Sequence, residues 1–267
     1  MSRSKIALAA VVFLGCADVT QPTPPAQFAG KTRLALSAAA PNEVVLPAGY
    51  ASVMGETNNN FPHSQRNLRY QQVFLGSELA DPNIVGVCLR RDDVSGGPSS
   101  TQTLTIKLGP TSLDDTNLGY VFDDNYSSPP TEVFSGDVVV PASSGLGTPT
   151  DFDFCIPFTQ SYSHPAGSNL IIEVVNTSVA TALQSRDACS ETSPTCTTAR
   201  AFALSSSATT AVLVQRGGLV MKFISPEPPA PEEPVVIEDC KAGGWSDFGF
   251  RNQGQCIRFV ETGVDSR

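Results

Sequence analysis

The chain has 267 residues and a formal net charge of −9 at neutral pH. This acidity excludes the partners that demand a basic surface, which are nucleic acid and anionic lipid headgroups. The simplest role of the negative charge is to keep the chain in solution. Apolar residues make up 40% of the sequence, which is enough for a buried core, so a globally disordered chain is excluded as well.

The first element in chain order is a short apolar segment behind two basic residues. The uncharged stretch 6–14 is too short to cross a bilayer, and residues 1–15 have the pattern of an export signal. Gly15 followed by Cys16 resembles the lipobox of bacterial lipoproteins, and this resemblance implies that Cys16 carries a lipid and becomes the new N-terminus. Ordinary cleavage after Ala17 is the alternative. The chain is therefore predicted to be exported and lipid-anchored to the cell envelope, or secreted if Cys16 is not lipidated.

A tether and a β-rich body follow the signal. Residues 16–42 are rich in Thr, Pro, Ala and Ser, which predicts a flexible tether. Residues 43–225 then alternate between short β-type runs and turn residues. In the run 101–108, Leu104, Ile106 and Leu108 share one face and threonines line the other. Further strands are predicted at 69–75, 83–90, 151–158, 169–175, 200–205, 211–215 and 219–224.

The same alternation assigns the faces of two further strands. The residues predicted to face inward are Phe152, Phe154, Ile156 and Phe158 in one run, and Val85, Val87 and Leu89 in the other. Cys155 and Cys88 fall out of phase, so they can join adjacent strands or tie a strand to a covering loop. Helical periodicity is nearly absent. The predicted fold class is all-β, a jelly-roll-like antiparallel β-sandwich with a short disulfide-stapled C-terminal module.

Six of the seven cysteines remain once Cys16 is lipidated or removed. In an oxidising compartment they indicate disulfides, although the sequence does not fix their pairing. Proximity along the chain favours Cys189 with Cys196 and Cys240 with Cys256, which leaves Cys88 for Cys155. A metal site is the alternative, but no pair has C-x-x-C spacing and neither histidine lies near them. We therefore predict disulfides, no metal and no cofactor.

The C-terminal part divides into a linker and a small module. Residues 226–237 are dense in proline and glutamate, which favours an extended and solvated polyproline II segment. Residues 238–267 are too few to bury much apolar surface alone, so we expect a disulfide and one tryptophan, Trp245, to supply their order.

Two stretches resemble known bacterial sequences. Residues 47–177 resemble an uncharacterised β-sandwich domain of bacterial secreted and surface-anchored proteins. The resemblance lies in the runs Arg69–Val73, 131–136 and 165–174. This resemblance implies a location and a fold rather than a reaction. The Cys-Lys-Ala-Gly-Gly-Trp segment at 240–245 and the Asn-Gln-Gly-Gln-Cys segment at 252–256 resemble a motif that ends many bacterial hypothetical proteins.

The aromatic residues of this motif have two interpretations. Trp245, Phe248 and Phe250 can offer a stacking surface for a sugar ring, because aromatic faces bind apolar faces. The favoured interpretation is that they form the core of the module, as aromatic side chains do in small disulfide scaffolds.

Catalytic patterns are weak throughout the chain. Serine catalysis needs a nucleophile, a histidine and an acid, but His63 and His164 each lie beside a proline and no G-x-S-x-G motif occurs. Acid pairs of the kind that a glycosidase or a Ca²⁺ site uses occur at Asp92/Asp93, Asp114/Asp115 and Asp123/Asp124. Their turn-rich contexts favour backbone-capping roles. No spaced calcium loop or glycine-rich nucleotide loop is found.

Together these patterns predict a non-enzymatic, exported cell-surface protein with a structural, adhesive or ligand-binding role. The expected ligand is a cell-surface polysaccharide or a protein, with membrane contact only through the N-terminal lipid. A secreted polysaccharide-acting hydrolase that uses paired aspartates is the alternative. A purely architectural domain without a ligand is a third hypothesis.

Overall fold

A computed structural model of the protein describes residues 43–63, 66–92, 96–142, 151–179, 184–226 and 233–265. The predicted export signal, the lipidation residue Cys16 and the tether lie outside these residues. Residues 227–232 of the predicted linker and Asp93 lie outside them too.

The described residues form thirteen strands and one α-helix. The strands are β1 (Glu43–Leu46), β2 (Thr57–Asn59), β3 (Leu68–Phe74), β4 (Asn83–Leu89), β5 (Ser100–Thr111), β6 (Thr131–Val140), β7 (Phe154–Ser163), β8 (Asn169–Asn176), β9 (Arg186–Cys189), β10 (Thr198–Ala203), β11 (Leu213–Arg216), β12 (Gly218–Leu219) and β13 (Met221–Ile224). The helix α1 spans Gln253–Thr262.

Eight of the strands form a two-layer sandwich with jelly-roll strand order. One sheet has the order β1-β13-β4-β7, and the other contains the neighbours β3-β8-β5-β6. Along the chain, β1, β3, β4 and β5 alternate between the layers, β6 stays beside β5, and β7 and β8 alternate again; the pairs are antiparallel, as in a jelly roll. β10 and β11 extend the second sheet to six strands, while β12, β9 and β2 form a small third sheet. The predicted all-β sandwich is confirmed.

The core lies between the two layers and follows the alternation of the sequence. Leu104, Ile106 and Leu108 on β5 are buried there, and so are Phe154 and Ile156 on β7. Full burial of each such side chain contributes about 1.5–3 kcal/mol relative to exposure. The threonines of β5 alternate with these residues on the opposite face, as the sequence predicts.

One predicted inward residue on β4 is wrong because the strand is irregular. The pairing between β4 and β7 shifts between Ile84 and Gly86, which marks a β-bulge. The bulge changes the phase of the strand, so that Ile84 replaces Val85 in the core. Val87 and Leu89, which follow the bulge, face the core as predicted.

The inward assignment of Phe152 is also corrected. Phe152 precedes β7 and packs against a separate small cluster that contains Tyr50 and Val220. Two cations lie over its ring, the Arg90 guanidinium at 5.0 Å and the Lys222 ammonium at 5.5 Å from the centroid. The alternation that begins at Phe154 therefore does not extend back to this residue.

The chain enters and leaves the sandwich at neighbouring positions. The first residue of β1, Glu43, is paired with Ile224, the last residue of β13. On the same pair of strands, the Lys222 Nζ atom lies 2.9 Å from a carboxylate oxygen of Glu43. β1 is an edge strand of its sheet.

Three disulfides join the cysteines in the two pairs that proximity favours and in the pair that remains. Cys88 and Cys155 occupy directly opposite positions on β4 and β7. The bond between Cys189 and Cys196 closes the loop that follows β9, and the bond between Cys240 and Cys256 joins a short 3₁₀ turn to α1.

The helix α1 was not predicted, although its boundaries carry recognisable signals. The side chain of Asn252 caps its N-terminus by accepting a hydrogen bond of 2.9 Å from the Gln255 N–H. Gly263 ends it with a left-handed φ of 69°, a conformation that favours glycine. The helix is only ten residues long, so its apolar periodicity is brief.

Candidate functional site

The outer face of the six-stranded sheet is divided between an apolar and a polar half. The apolar half is covered by the segment 112–130, whose Leu118 and Phe122 pack on Val73 and Ile171 of the sheet. The polar half carries the threonines of β5 and a line of charged side chains. This half is therefore the surface of the sheet on which polar chemistry is concentrated.

A row of polar side chains crosses four strands at one level of the sheet. Gln71 on β3, Glu173 on β8, Lys107 on β5 and Glu132 on β6 occupy directly opposite positions. Side chains directly opposite each other in antiparallel pairs share a face and interact. We call these four residues the polar row.

Glu173 is the buried member of the polar row. Its side chain is only 1% exposed, and its Oε2 atom accepts a hydrogen bond of 2.7 Å from the Gln71 Nε2 atom. Its Oε1 atom lies 3.5 Å from the Lys107 Nζ atom. A buried carboxylate is tolerated when it is paired and hydrogen-bonded, and Glu173 satisfies both conditions.

Arg69 connects the polar row to the covering segment. Its Nε and Nη2 atoms donate to Glu173 Oε2 at 3.1 and 2.8 Å, and Nη2 also donates to Asp123 Oδ1 at 2.7 Å. Its Nη1 atom donates to the Ala208 carbonyl at 3.0 Å, and its guanidinium lies 4.6 Å from the centroid of the Phe122 ring. The guanidinium is thereby held in one position.

Burial and these contacts shift two pKa values. Burial by itself lowers the pKa of Arg69, but hydrogen bonds to Glu173 and Asp123 outweigh it and raise the pKa. Burial, and after it the charge of Glu173, raises the pKa of the Tyr126 hydroxyl. Arg69 therefore stays protonated and Tyr126 stays neutral at physiological pH.

Arg69 and three members of the polar row, Lys107, Glu132 and Glu173, line an open cleft of about 370 Å³, which we call the charged cleft. Its lining residues are Arg69, Thr105, Lys107, Asp123, Glu132, Glu173, Val175 and Ser206. Lys107 is one-third exposed and Asp123 is three-quarters exposed. Because donors and acceptors alternate in this cleft, it suits a ligand rich in hydroxyl or mixed polar groups.

The two histidines lie apart from the charged cleft. Burial, followed by the charge of Arg186, lowers the pKa of His63 to about 3, and its Nδ1 atom lies 3.3 Å from the Gln102 Oε1 atom. Burial also lowers the pKa of His164, whose Nε2 atom lies 2.9 Å from the Ser168 carbonyl oxygen. Both rings are neutral at neutral pH. The partner of His63 is a side-chain amide, and the partner of His164 is a backbone carbonyl of its own loop.

The aspartates singled out by the sequence bind different parts of the structure. Asp114 accepts hydrogen bonds from the backbone and hydroxyl of Thr116 in its own turn, and these bonds lower its pKa. Asp115 pairs with Arg216 at 2.8 Å, and Asp123 pairs with Arg69.

Asp124 is exposed and Asp92 is buried. Within the described ranges, no group of three or more His, Cys, Asp or Glu side chains is placed to hold a metal ion.

The aromatic residues of the C-terminal module surround its disulfide. Phe250 is only 3% exposed and is buried with Cys240 and Cys256. Its ring therefore has no face available for a ligand. Trp245 and Phe248 pack against the same cluster and are half-buried.

The sequence does not predict the polar row, because its members are far apart in the chain. Each member lies in its own run of residues, and nothing local in these runs shows that the four side chains align. Glu173 was the available signal, since a carboxylate inside the apolar run Leu170–Val174 requires a partner.

Comparisons with known proteins return no match for this chain, whether with family models, with curated proteins or with solved structures. Over the part of the chain that the structure describes, no helix has the length and apolar character needed to span a membrane.

Proposed function

We propose that this chain is an exported, non-enzymatic protein, held at the cell envelope by a lipid on Cys16, whose sandwich binds a hydroxyl-rich ligand in the charged cleft. A carbohydrate polymer of the cell surface is the favoured ligand, and a protein is the other. The three disulfides are compatible with export, because such bonds form and persist in oxidising compartments.

The observation that supports the binding role is that Lys107 and Glu132 lie side by side without forming an ion pair. They are directly opposite on β5 and β6, yet no ion pair joins them, and Glu132 is exposed. Among the described residues Lys107 has one ion pair, a long contact of 3.5 Å with Glu173. Both side chains therefore retain hydrogen-bonding capacity toward a ligand. They lie beside the ion pair of Arg69 and Glu173, which forms the base of the cleft.

The hydrolase alternative gains no support from a specific observation. A glycosidase needs two carboxylates that face each other across the scissile bond. Asp114 serves its own turn, while Asp115 and Asp123 are paired with arginines on different strands. These contacts give the aspartates structural roles.

The binding proposal is tested with the purified mature protein on an array of glycans and cell-wall polymers. The variants Lys107→Gln and Glu132→Gln are expected to lower affinity about 10- to 100-fold, as the loss of charge-assisted hydrogen bonds does. Lys222→Gln is the matched control, because Lys222 lies on the other sheet and is paired with Glu43. Absence of binding to any envelope polymer, or equal binding by all variants, would contradict the proposal.

The anchoring proposal has a separate test. Mass spectrometry of the mature protein is expected to show acyl chains on Cys16. An unmodified N-terminus after Ala17 would instead identify a secreted protein and would leave the binding proposal standing.

A further inference from the structure

Arg186 is a buried cation without the contacts that other buried charges of this sandwich make. It begins β9, is 1% exposed, and its guanidinium lies 4.8 Å from the centroid of the Phe154 ring. None of its three nitrogen atoms has a hydrogen-bond partner in the described parts of the chain. A guanidinium carries five N–H donors, so all of them lack an acceptor.

Arg90 shows how the same sandwich ordinarily satisfies a buried arginine. Its Nε atom donates to Asp187 Oδ2 at 2.7 Å, and its Nη2 atom donates to the carbonyl oxygens of Tyr50 and Val53. Its side chain is 2% exposed, so its burial matches that of Arg186. The difference between the two arginines therefore lies in their acceptors.

The strand register surrounds Arg186 with further donors. Arg91 is its partner in a β-bridge, and Asn59 is its partner on β2. Residues directly opposite each other in antiparallel pairs share a face, so the three side chains form one row. The Asn59 Nδ2 atom is a second buried donor without a hydrogen bond.

The carboxylate whose charge acts on Arg186 is already engaged by a neighbour. The Arg91 Nε atom lies 2.8 Å from the Asp153 Oδ2 atom. The charge of Asp153 favours the protonated form of Arg186, while the charge of Arg91 opposes it. Burial lowers the pKa of Arg186 to about 10, so the side chain is still a cation at neutral pH. Arg186 is therefore a buried cation that makes no hydrogen bond to this carboxylate.

An unpartnered buried cation is strongly unfavourable, and native proteins pair such groups or give them a bound counter-ion. We infer that the Arg186 guanidinium, in the row with Arg91 and Asn59, binds a small anion of chloride size. The small size follows from the burial of the guanidinium. This site is separate from the charged cleft and does not depend on the proposed function.

The test is thermal unfolding of the full mature chain, with sodium gluconate replaced by sodium chloride at constant ionic strength. For the unmodified chain, Tm is expected to rise by about 3–5 °C for each tenfold increase in chloride above its Kd. Arg186→Met keeps the apolar stem without the charge, and its Tm is expected to be independent of chloride. Arg216→Met, which removes a half-exposed arginine paired with Asp115, is the control that keeps the response.

An unmodified chain whose Tm ignores chloride would overturn the inference, and so would an Arg186→Met variant that responds as the unmodified chain does. A second measurement covers a variant that fails to fold. Crystals of the unmodified protein grown with sodium bromide are expected to give an anomalous peak within hydrogen-bond distance of the guanidinium. Density for an ordered water at that place, without anomalous signal, would overturn the inference.

Discussion

In the sandwich, two sheets enclose an apolar core to which strands from residue 43 to residue 224 contribute, and disulfides are added to it. In the described part of the C-terminal module, 238–265, the fully buried residues are Cys240, Phe250 and Cys256. Two of these three are the disulfide itself. A similar covalent bond therefore supplements the stability of the sandwich and supplies most of the stability of the module.

Removal of the sandwich disulfide by Cys88→Ala combined with Cys155→Ala is expected to cost more stability than any other change considered for the two regions. The bond spans 67 residues, so its removal is expected to lower the free energy of unfolding by about 4 kcal/mol on the chain-entropy model. The apolar core remains, and the sandwich should still fold. Urea unfolding measures the loss, and a variant that is unfolded without denaturant would show that the core alone is insufficient.

Acid is expected to weaken the sandwich through His63. Its pKa in the folded state, about 3, lies below the value of about 6.5 in the unfolded chain, so unfolding takes up a proton between these values. Stability is therefore present above pH 6.5 and lost as pH falls, by about 3 kcal/mol between neutral pH and about pH 4. His63→Gln should lack this component. Urea unfolding across the pH range compares the two, and parallel curves would refute the assignment.

The module is the place where loss of a disulfide is expected to abolish order. Cys240→Ala with Cys256→Ala removes a bond across 16 residues, worth about 3 kcal/mol on the same model. That exceeds what one buried phenylalanine contributes. Limited proteolysis should cut within 238–265, while the unfolding midpoint of the sandwich stays constant. A lowered midpoint would show instead that the module stabilises the sandwich.

The smallest expected effect concerns the cap of α1. Asn252→Ala removes the side chain that accepts from the Gln255 N–H, and the expected loss is about 1 kcal/mol. Asn252→Asp keeps an acceptor and is the control. Hydrogen exchange of the first amides of α1 measures the change, and equal protection in both variants would contradict the role of the cap.

Alternation within a strand was a reliable guide to the fold where the strand is regular. It assigned Leu104, Ile106 and Leu108 on β5 to the core. It failed for Val85, because the bulge adds one unpaired residue to the strand. The residues before the bulge therefore face the opposite side from the one that the alternation predicts. Gly86, an isolated glycine inside the strand, is the local signal of that bulge, but the change of phase is fixed only by pairing with β7.

The candidate site was harder to predict from the sequence than the fold, for a related reason. Periodicity tells which face a side chain occupies, but it does not tell which strands are neighbours. Lys107 and Glu132 are 25 positions apart in the sequence, and Glu173 joins them only through the register of β8 with β5. The donor row at Arg186 depends likewise on pairing between distant strands.

The pairing of Glu43 with Ile224 has a mechanical consequence. A tensile load between the segments that flank the sandwich would act on the first hydrogen-bonded pair at one end of β1 and β13, so these strands would separate one pair at a time. Shear across the whole ladder, which loads every pair together, would not arise. Under such tension β1 would separate from β13 at low force, before the other strands of the sandwich bear the load.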